Sequence, residues 1–282
     1  ADVYKRQDMD KKSVLVTGGG SGIGAGVAAT LAQCGARVTI VGRNAERLGD
    51  TAERINARTG RTAVHAHAAD VTDEEQIAAA VAAAAGHGDG LHGVVACAGG
   101  SETIGPITAM DTEAWKRTVD LNVNGTMFTL KHAARELVRA GGGSFVAISS
   151  IAASNTHRWF GAYGVTKSAV DHLVALAADE LGPSNVRVNG IRPGLIRTDL
   201  VTAILDDETL SADYRVSTPL PRIGEVDDIA AMSAFLLSDH ASWVTGQVLN
   251  VDGGQMLRRG PDFSSMLEPL FGADGLRGVV AE

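Results

Sequence analysis

Apolar residues along the chain gather into short runs of about five, separated by longer stretches with helical spacing. Seven of the runs read as strands: Ser13-Val-Leu-Val-Thr17, Arg37-Val-Thr-Ile-Val41, Thr62-Ala-Val-His-Ala66, Gly93-Val-Val-Ala-Cys97, Ser144-Phe-Val-Ala-Ile-Ser149, Val186-Arg-Val-Asn-Gly-Ile191 and Gln247-Val-Leu-Asn-Val251. Between them the pattern predicts helices: an alanine-rich one ending near Ala32, one capped by Asn44 and running to about Arg58, and one over 76–85 behind the capping box Thr72-Asp-Glu-Glu75. A long helix follows from Asp111 through Arg139, then one carrying Tyr163, and one from about Glu225 to Leu237. Residues 192–224 read as loop-rich. Apolar strands interleaved with helices imply an α/β fold, a doubly wound parallel sheet covered on both faces. No internal repeat or interdomain linker interrupts the pattern.

Composition adds limits. The 282 residues are 45% hydrophobic with 34 glycines, enough for one sizeable core with many tight turns. A net charge of −8 argues against a nucleic-acid or anionic-membrane surface. No apolar run approaches the roughly 18 residues that span a bilayer, and the first ten residues lack the apolar stretch of a signal peptide. Cys34 and Cys97, two thiols far apart in sequence, read as reduced, which places the chain in the cytoplasm. Residues 1–11 read as a polar leader with Met9 a candidate start, 12–257 as the catalytic domain, and 258–282 as an appended tail.

The first strand runs into Thr17-Gly-Gly-Gly-Ser-Gly-Ile-Gly24. Glycine between a strand and a helix lets backbone approach a pyrophosphate, and the helix N-terminus offers free amides and a favourable dipole. The alternative is a glycine-rich turn that only packs a helix tightly on a sheet. Where such a fold meets the adenosine ribose, at the end of strand two, this chain has Gly42 and Arg43 in place of a carboxylate. A guanidinium suits a 2′-phosphate and favours NADP over NAD; the alternative is a solvated arginine stacking loosely on adenine.

Tyr163 and Lys167 stand one helical turn apart, and Ser150 lies 13 residues before the tyrosine. Positions i and i+4 share a helix face, so the Lys167 ammonium is expected to favour the Tyr163 phenolate and make that residue a general acid or base. Ser149 and Ser150 point to opposite faces of an extended segment, so one of them alone reaches a substrate. His65 and His67 would share a strand face, but no cluster of Cys or carboxylates accompanies them, and no metal site is expected. Cys97, behind a strand, reads as inert.

With Thr17-Gly-x-x-x-Gly-x-Gly24, Asn122, Ser150 and Tyr163-x-x-x-Lys167 in this order, residues 12–257 strongly resemble the short-chain dehydrogenases/reductases. The likeness is to the branch of about 250 residues that includes the β-ketoacyl carrier-protein reductases. It implies a Rossmann-type fold and a catalytic set of Asn122, Ser150, Tyr163 and Lys167. It also implies cofactor contacts at Gly18, Ser21, Gly22, Ile23, Gly24, Arg43, Asp70, Val71, Ala98, Gly99, Tyr163, Lys167, Pro193, Gly194, Ile196 and Thr198. By the same resemblance Ser150 selects over Ser149, Asn122 holds a water of a proton relay, and Asp70-Val71 meets adenine. One departure is Ala96-Cys-Ala-Gly99, where the family usually has Asn-Asn-Ala-Gly.

The expected reaction is hydride transfer between NADP(H), with NAD(H) an alternative, and a carbonyl or secondary alcohol. The segments that build the family's substrate pocket supply Trp159, Phe160, Leu195, Leu200, Val201, Ile204 and Leu205, which favours an apolar substrate, although such residues also pack lids. His157 and Arg158 would meet an anionic handle or face water. Phe263, Met266, Leu267, Leu270 and Phe271 give the tail apolar surface, expected to pack across a subunit interface because the family commonly forms tetramers. An NAD-dependent alcohol or steroid dehydrogenase and a non-catalytic cofactor sensor are the rival readings.

Overall fold

A computed structural model describes residues 9–258 and 262–279. Residues 1–8 of the expected leader and 259–261 and 280–282 of the expected tail, with Pro261 among them, lie outside the described residues. Seven strands form one parallel sheet: β1 (Ser13–Thr17), β2 (Arg37–Gly42), β3 (Val64–Ala68), β4 (Gly93–Ala96), β5 (Gly143–Ile148), β6 (Val186–Pro193) and β7 (Val248–Val251), in the order β3-β2-β1-β4-β5-β6-β7. The pleat sorts each strand between two cores. Val14, Val16, Val146 and Ile148 join one cluster, while their neighbours Leu15, Phe145 and Ala147 join the other. The first cluster lies under helices α1 (Gly22–Gln33), α2 (Ala45–Thr59) and α9 (Val226–Leu237). The second lies under α3 (Glu74–Gly86), α5 (Gly125–Arg139) and α6 (Ala162–Leu181). The architecture is the expected α/β doubly wound, Rossmann-type single domain. Strand order reverses between β1 and β4, and the carboxyl ends of these two strands open a crevice there.

Several boundaries differ from the sequence reading for local reasons. The third strand starts two residues late, because the Asn56 Oδ1 accepts from the amides of Ala63 and Val64 and holds the approach in a turn. Asp73, and not Thr72, caps α3 by accepting from Glu75 and Gln76, while the Thr72 hydroxyl donates to Asp70. The single long helix expected over 111–139 is two, α4 (Thr112–Val119) and α5, joined by a π-helical turn over Asp120–Asn124. The stretch 192–224 contains α7 (Thr202–Asp206) and α8 (Glu208–Ser217). Met9 is fully buried in the first core, its amide bonded to the Cys34 carbonyl, so packed structure begins before the expected leader ends.

The tail folds as α10 (Ser264–Leu276), bent at Gly272, and it packs on its own chain. Phe263 and Leu267, each 1% exposed, join Leu195, Leu210 and Tyr214 in a third cluster, with Trp159, Phe160 and Phe271 against it. The expectation of a tail buried across a subunit interface is therefore corrected for these side chains. Trp159, Phe160 and α8 stand directly beside the end of the catalytic domain and take the tail first. Burial of two such side chains contributes about 1.5–3 kcal/mol each, enough to hold a short helix in place. Leu270 stays 73% exposed.

Candidate active site

One cavity of about 740 Å³ runs along the carboxyl edge of the sheet. It brings together every expected cofactor contact, from Gly18 to Thr198, with Ser150, Tyr163 and Lys167; Asn122 alone of the expected set stands behind its wall. At one end, Ser21 occupies the N-cap of α1 in extended conformation and its side chain makes no capping bond. The first amides of α1 are thus left for an external acceptor, as a pyrophosphate would require. Gly18 has φ +66°, and a Cβ there would stand 2.9 Å from the Ala98 amide nitrogen. The turn can therefore close against β4 with glycine alone. The Thr17 hydroxyl accepts from the amides of Cys97 and Ala98 and fixes the opposite lip. It braces the strand ends in a chain that has Cys97 where the related pattern has asparagine. These groups fit a dinucleotide.

Arg43 and Arg47 both line the adenosine end, with Asn44 between them capping α2 through the Arg47 amide. Arg47 escaped the sequence reading. Its signal is its place in the first turn of α2, one helical turn beyond Arg43. Asp70 accepts from the Thr72 amide and hydroxyl, which orients its carboxylate at the far side of the same end. At the other glycine turn, a Cβ on Gly194 would lie 2.9 Å from the Asp252 Cα. The Asp252 carboxylate meanwhile binds the amides of Gly254 and Met256. The Pro193-Gly194 loop is thereby clamped to the end of β7.

The catalytic candidates come from three elements. Ser150 ends the extended segment after β5, and its hydroxyl accepts from the Ala152 amide. The neighbouring Ser149 is buried and donates to the Lys167 carbonyl. Tyr163 and Lys167 begin α6, whose start is fixed from outside: the Thr103 hydroxyl accepts from the Ala162 amide, and Gly161 at φ +59° leaves Thr103 room. Just before, Trp159 is held at φ +62°, a left-handed strain that its bonded carbonyl, stacked Arg158 and bonded indole together sustain.

Burial pushes the Tyr163 phenol above its usual range; the hydrogen bond from Ser150 opposes this, and the Cys97 thiol reinforces it. This corrects the expectation that Lys167 sets the phenol low. Lys167 is itself 4% exposed, its ammonium donates to the Ile148 carbonyl at 2.8 Å, and its Nζ lies 5.7 Å from the Tyr163 ring centroid. Burial lowers Lys167 to about 8. Burial likewise pushes the Cys97 thiol up to about 12, in keeping with an inert cysteine.

Asn122 sits in the π-helical turn, fully buried. Both its amide hydrogens are committed, to the Gly100 carbonyl and the Thr166 hydroxyl, and its oxygen accepts from the Gly100 amide. Its side chain thus ties the end of β4 to α6. His65 stacks on His87 with centroids 4.0 Å apart, and no group of residues suited to a metal ion occurs among the described residues.

The substrate end is walled by Phe160, Leu195, Val201, Ile204 and Tyr214. Phe160 meets the Tyr163 ring edge-on at 5.1 Å and stacks on Phe263 at 5.3 Å. The tail is therefore one residue removed from the Tyr163 ring. Arg158 lies over Trp159 and 3.7 Å from Asp262, outside the cavity, so it offers no handle to a substrate. Tyr214 was missed in the sequence because it stands in the stretch read as loop. Phe271 covers Gly105, where a Cβ would come within 2.6 Å of its ring. Removing residues 259–282 should raise the KM for an apolar ketone about tenfold and lower Tm by several degrees, through the bared third cluster. Steady-state kinetics and a thermal melt check this; unchanged values would show the tail to be dispensable.

Comparison with known proteins agrees with this geometry. The family model described as enoyl-(acyl carrier protein) reductase matches residues 18–256. A short-chain type dehydrogenase/reductase from Mycobacterium ulcerans superposes with a TM-score of 0.94 at 68% identity, covering 96% of this chain and 99% of that one. Cis-4-hydroxycyclohexanecarboxylate dehydrogenase of Sinomonas cyclohexanicum is 36% identical over 86% of this chain and 96% of its own. The 7alpha-hydroxysteroid dehydrogenase of Escherichia coli (strain K12) is 35% identical over 87% and 94%. No helix among the described residues is long and apolar enough to cross a membrane. The chain belongs to the short-chain dehydrogenase/reductase family, and is an NAD(P)-dependent oxidoreductase acting on alcohol and carbonyl groups.

Proposed function

We propose that this enzyme interconverts a ketone and a secondary alcohol on an apolar ring skeleton, with NADP(H) as the preferred cofactor. The observation that carries the reading is the continuity of one cavity from the α1 amides to the Tyr163 hydroxyl and on to an apolar wall. When bound, the nicotinamide supplies or accepts the hydride. In the reducing direction the Tyr163 hydroxyl donates its proton to the substrate oxygen, and Ser150 holds that oxygen by a second hydrogen bond. Lys167 keeps a positive charge beneath the tyrosine ring, and Asn122 fixes the strand end and α6 relative to each other. The two relatives named for ring-bearing alcohols support the ring skeleton by analogy.

Two guanidinium groups at the adenosine end, with no carboxylate at the tip of β2, support NADP. The Arg43→Ala/Arg47→Ala double variant should lose most of any preference for NADPH, with the NADPH/NADH ratio of kcat/KM falling about 100-fold. A ratio that survives the double substitution refutes the cofactor reading. A panel of cyclic ketones and alcohols with both cofactors tests the reaction class. Assembly into a homotetramer or dimer is supported by the apolar Val165 and Leu176, 56% and 49% exposed on α6. A cytoplasmic setting is supported by Cys34 and Cys97, neither of which is in a disulfide.

A further inference from the structure

We infer that Tyr214 is a specificity-determining residue that donates a hydrogen bond to a second, uncharged oxygen of the substrate, away from the reacting carbon. The inference rests on the ketone–alcohol reading above and narrows its substrate class to dioxygenated rings, diketones or hydroxyketones. Tyr214 projects from α8 into the substrate end of the cavity and is 5% exposed. Its body is fixed in the third apolar cluster by Leu195, Leu210, Phe263 and Leu267. Its hydroxyl makes no hydrogen bond to the described residues and is not one of the fully buried polar atoms that lack a partner, so it is open to the cavity and available to a ligand. The phenol is also near enough to Tyr163 for a charge on one to be felt by the other. Burial keeps it protonated, so it is a standing donor.

The charges around it decide what it donates to. Among the described residues, no cation at the substrate end is free to meet a carboxylate. Lys167 is committed to the Ile148 carbonyl, and Arg158 is drawn out over Trp159 toward Asp262. His157 donates from Nδ1 to the Asn155 carbonyl, and burial holds its imidazole below its usual range and neutral. An anionic group would therefore be desolvated without a counter-charge, whereas a neutral oxygen gains one hydrogen bond.

The test compares cyclohexanone with cyclohexane-1,4-dione, and 2-decalone with decalin-2,6-dione, for the full-length wild-type chain and Tyr214→Phe, with NADPH and NADH. 4-Oxocyclohexanecarboxylate serves as the anionic probe. Wild type should prefer the dione on at least one skeleton by about tenfold in kcat/KM beyond the statistical factor of about two, with the preference lying in KM. It should turn over the carboxylate no better than the monoketone. In Tyr214→Phe, which keeps the ring and its packing, the dione preference should collapse toward the statistical factor. A dione-to-monoketone ratio equal in wild type and variant overturns the assignment of Tyr214, as does a preference for the carboxylate. A wild-type enzyme that reduces none of these ketones overturns the proposed reaction itself, and is distinguished by the absence of any turnover.

Discussion

Tyr163→Phe should lower kcat/KM for ketone reduction about 1000-fold while leaving the thermal midpoint close to that of the wild type. The magnitude follows from removing a positioned proton donor. Stability holds because the substitution keeps the ring that Phe160 packs against and removes only a hydroxyl at the cavity wall. The pH profile of the wild type carries a second signature. Burial holds the phenol above its usual range, so Tyr163 stays protonated through neutrality. Reduction should accordingly be flat toward neutral pH and fall above about 8, where Lys167 loses its charge. Oxidation needs the phenolate and should rise with pH over the same interval. Stopped-flow or steady-state traces of nicotinamide absorbance check both. A Tyr163→Phe enzyme with activity within tenfold of wild type would remove Tyr163 from the proton-transfer step.

Gly24→Ala should weaken NADPH binding about 100-fold and cost about 1–3 kcal/mol of stability. A Cβ at this position would lie 2.2 Å from the Gly18 carbonyl oxygen and 2.7 Å from its carbon. Both are backbone atoms of the very turn that presents the α1 amides, and neither can swing aside as a side-chain end would. The whole turn must move, carrying the anion site with it. Gly49→Ala on α2 is the matched comparison, since a Cβ there meets nothing within 4 Å. It should be neutral or stabilise by about 0.5 kcal/mol. Fluorescence titration with NADPH and a denaturant melt separate the two effects, and wild-type binding by Gly24→Ala would refute the close-approach argument.

The sheet and the gathering of Ser150, Tyr163 and Lys167 at one cavity were legible because their signals are local. Strand-sized apolar runs, capped helices and the i, i+4 spacing of Tyr163 and Lys167 need no knowledge of distant contacts. What was not legible depends on tertiary partners. The start of β3 is set by Asn56, eight residues away, which no strand propensity reports. Residues 199–217 form helices partly because α8 buries Leu210 and Tyr214 against a tail some fifty residues further on. The ionisation of Tyr163 was misjudged for the same reason. Helical spacing places Lys167 on the correct face, but it cannot say that burial pushes the phenol up or that the ammonium turns toward Ile148. Arg47 was within reach of the sequence; it needed one more turn of α2 to be counted beside Arg43.

The widened turn over Asp120–Asn124 makes this stretch intolerant of changes in chain length. A helix with one extra residue in a turn is one deletion away from being regular, and such a deletion would satisfy every local preference for α-helix. It would also rotate everything on one side of the turn by about 100° relative to the other. Either α4 or α5 would then lose its packed face, and the amide of Asn122 would no longer meet both Gly100 and Thr166. Substitutions at Leu121 or Val123 can be absorbed by neighbouring side chains, whereas an indel cannot. Among homologues that keep the chemistry, gaps should therefore accumulate around α7 and α8 and in the tail, and be absent from these five positions.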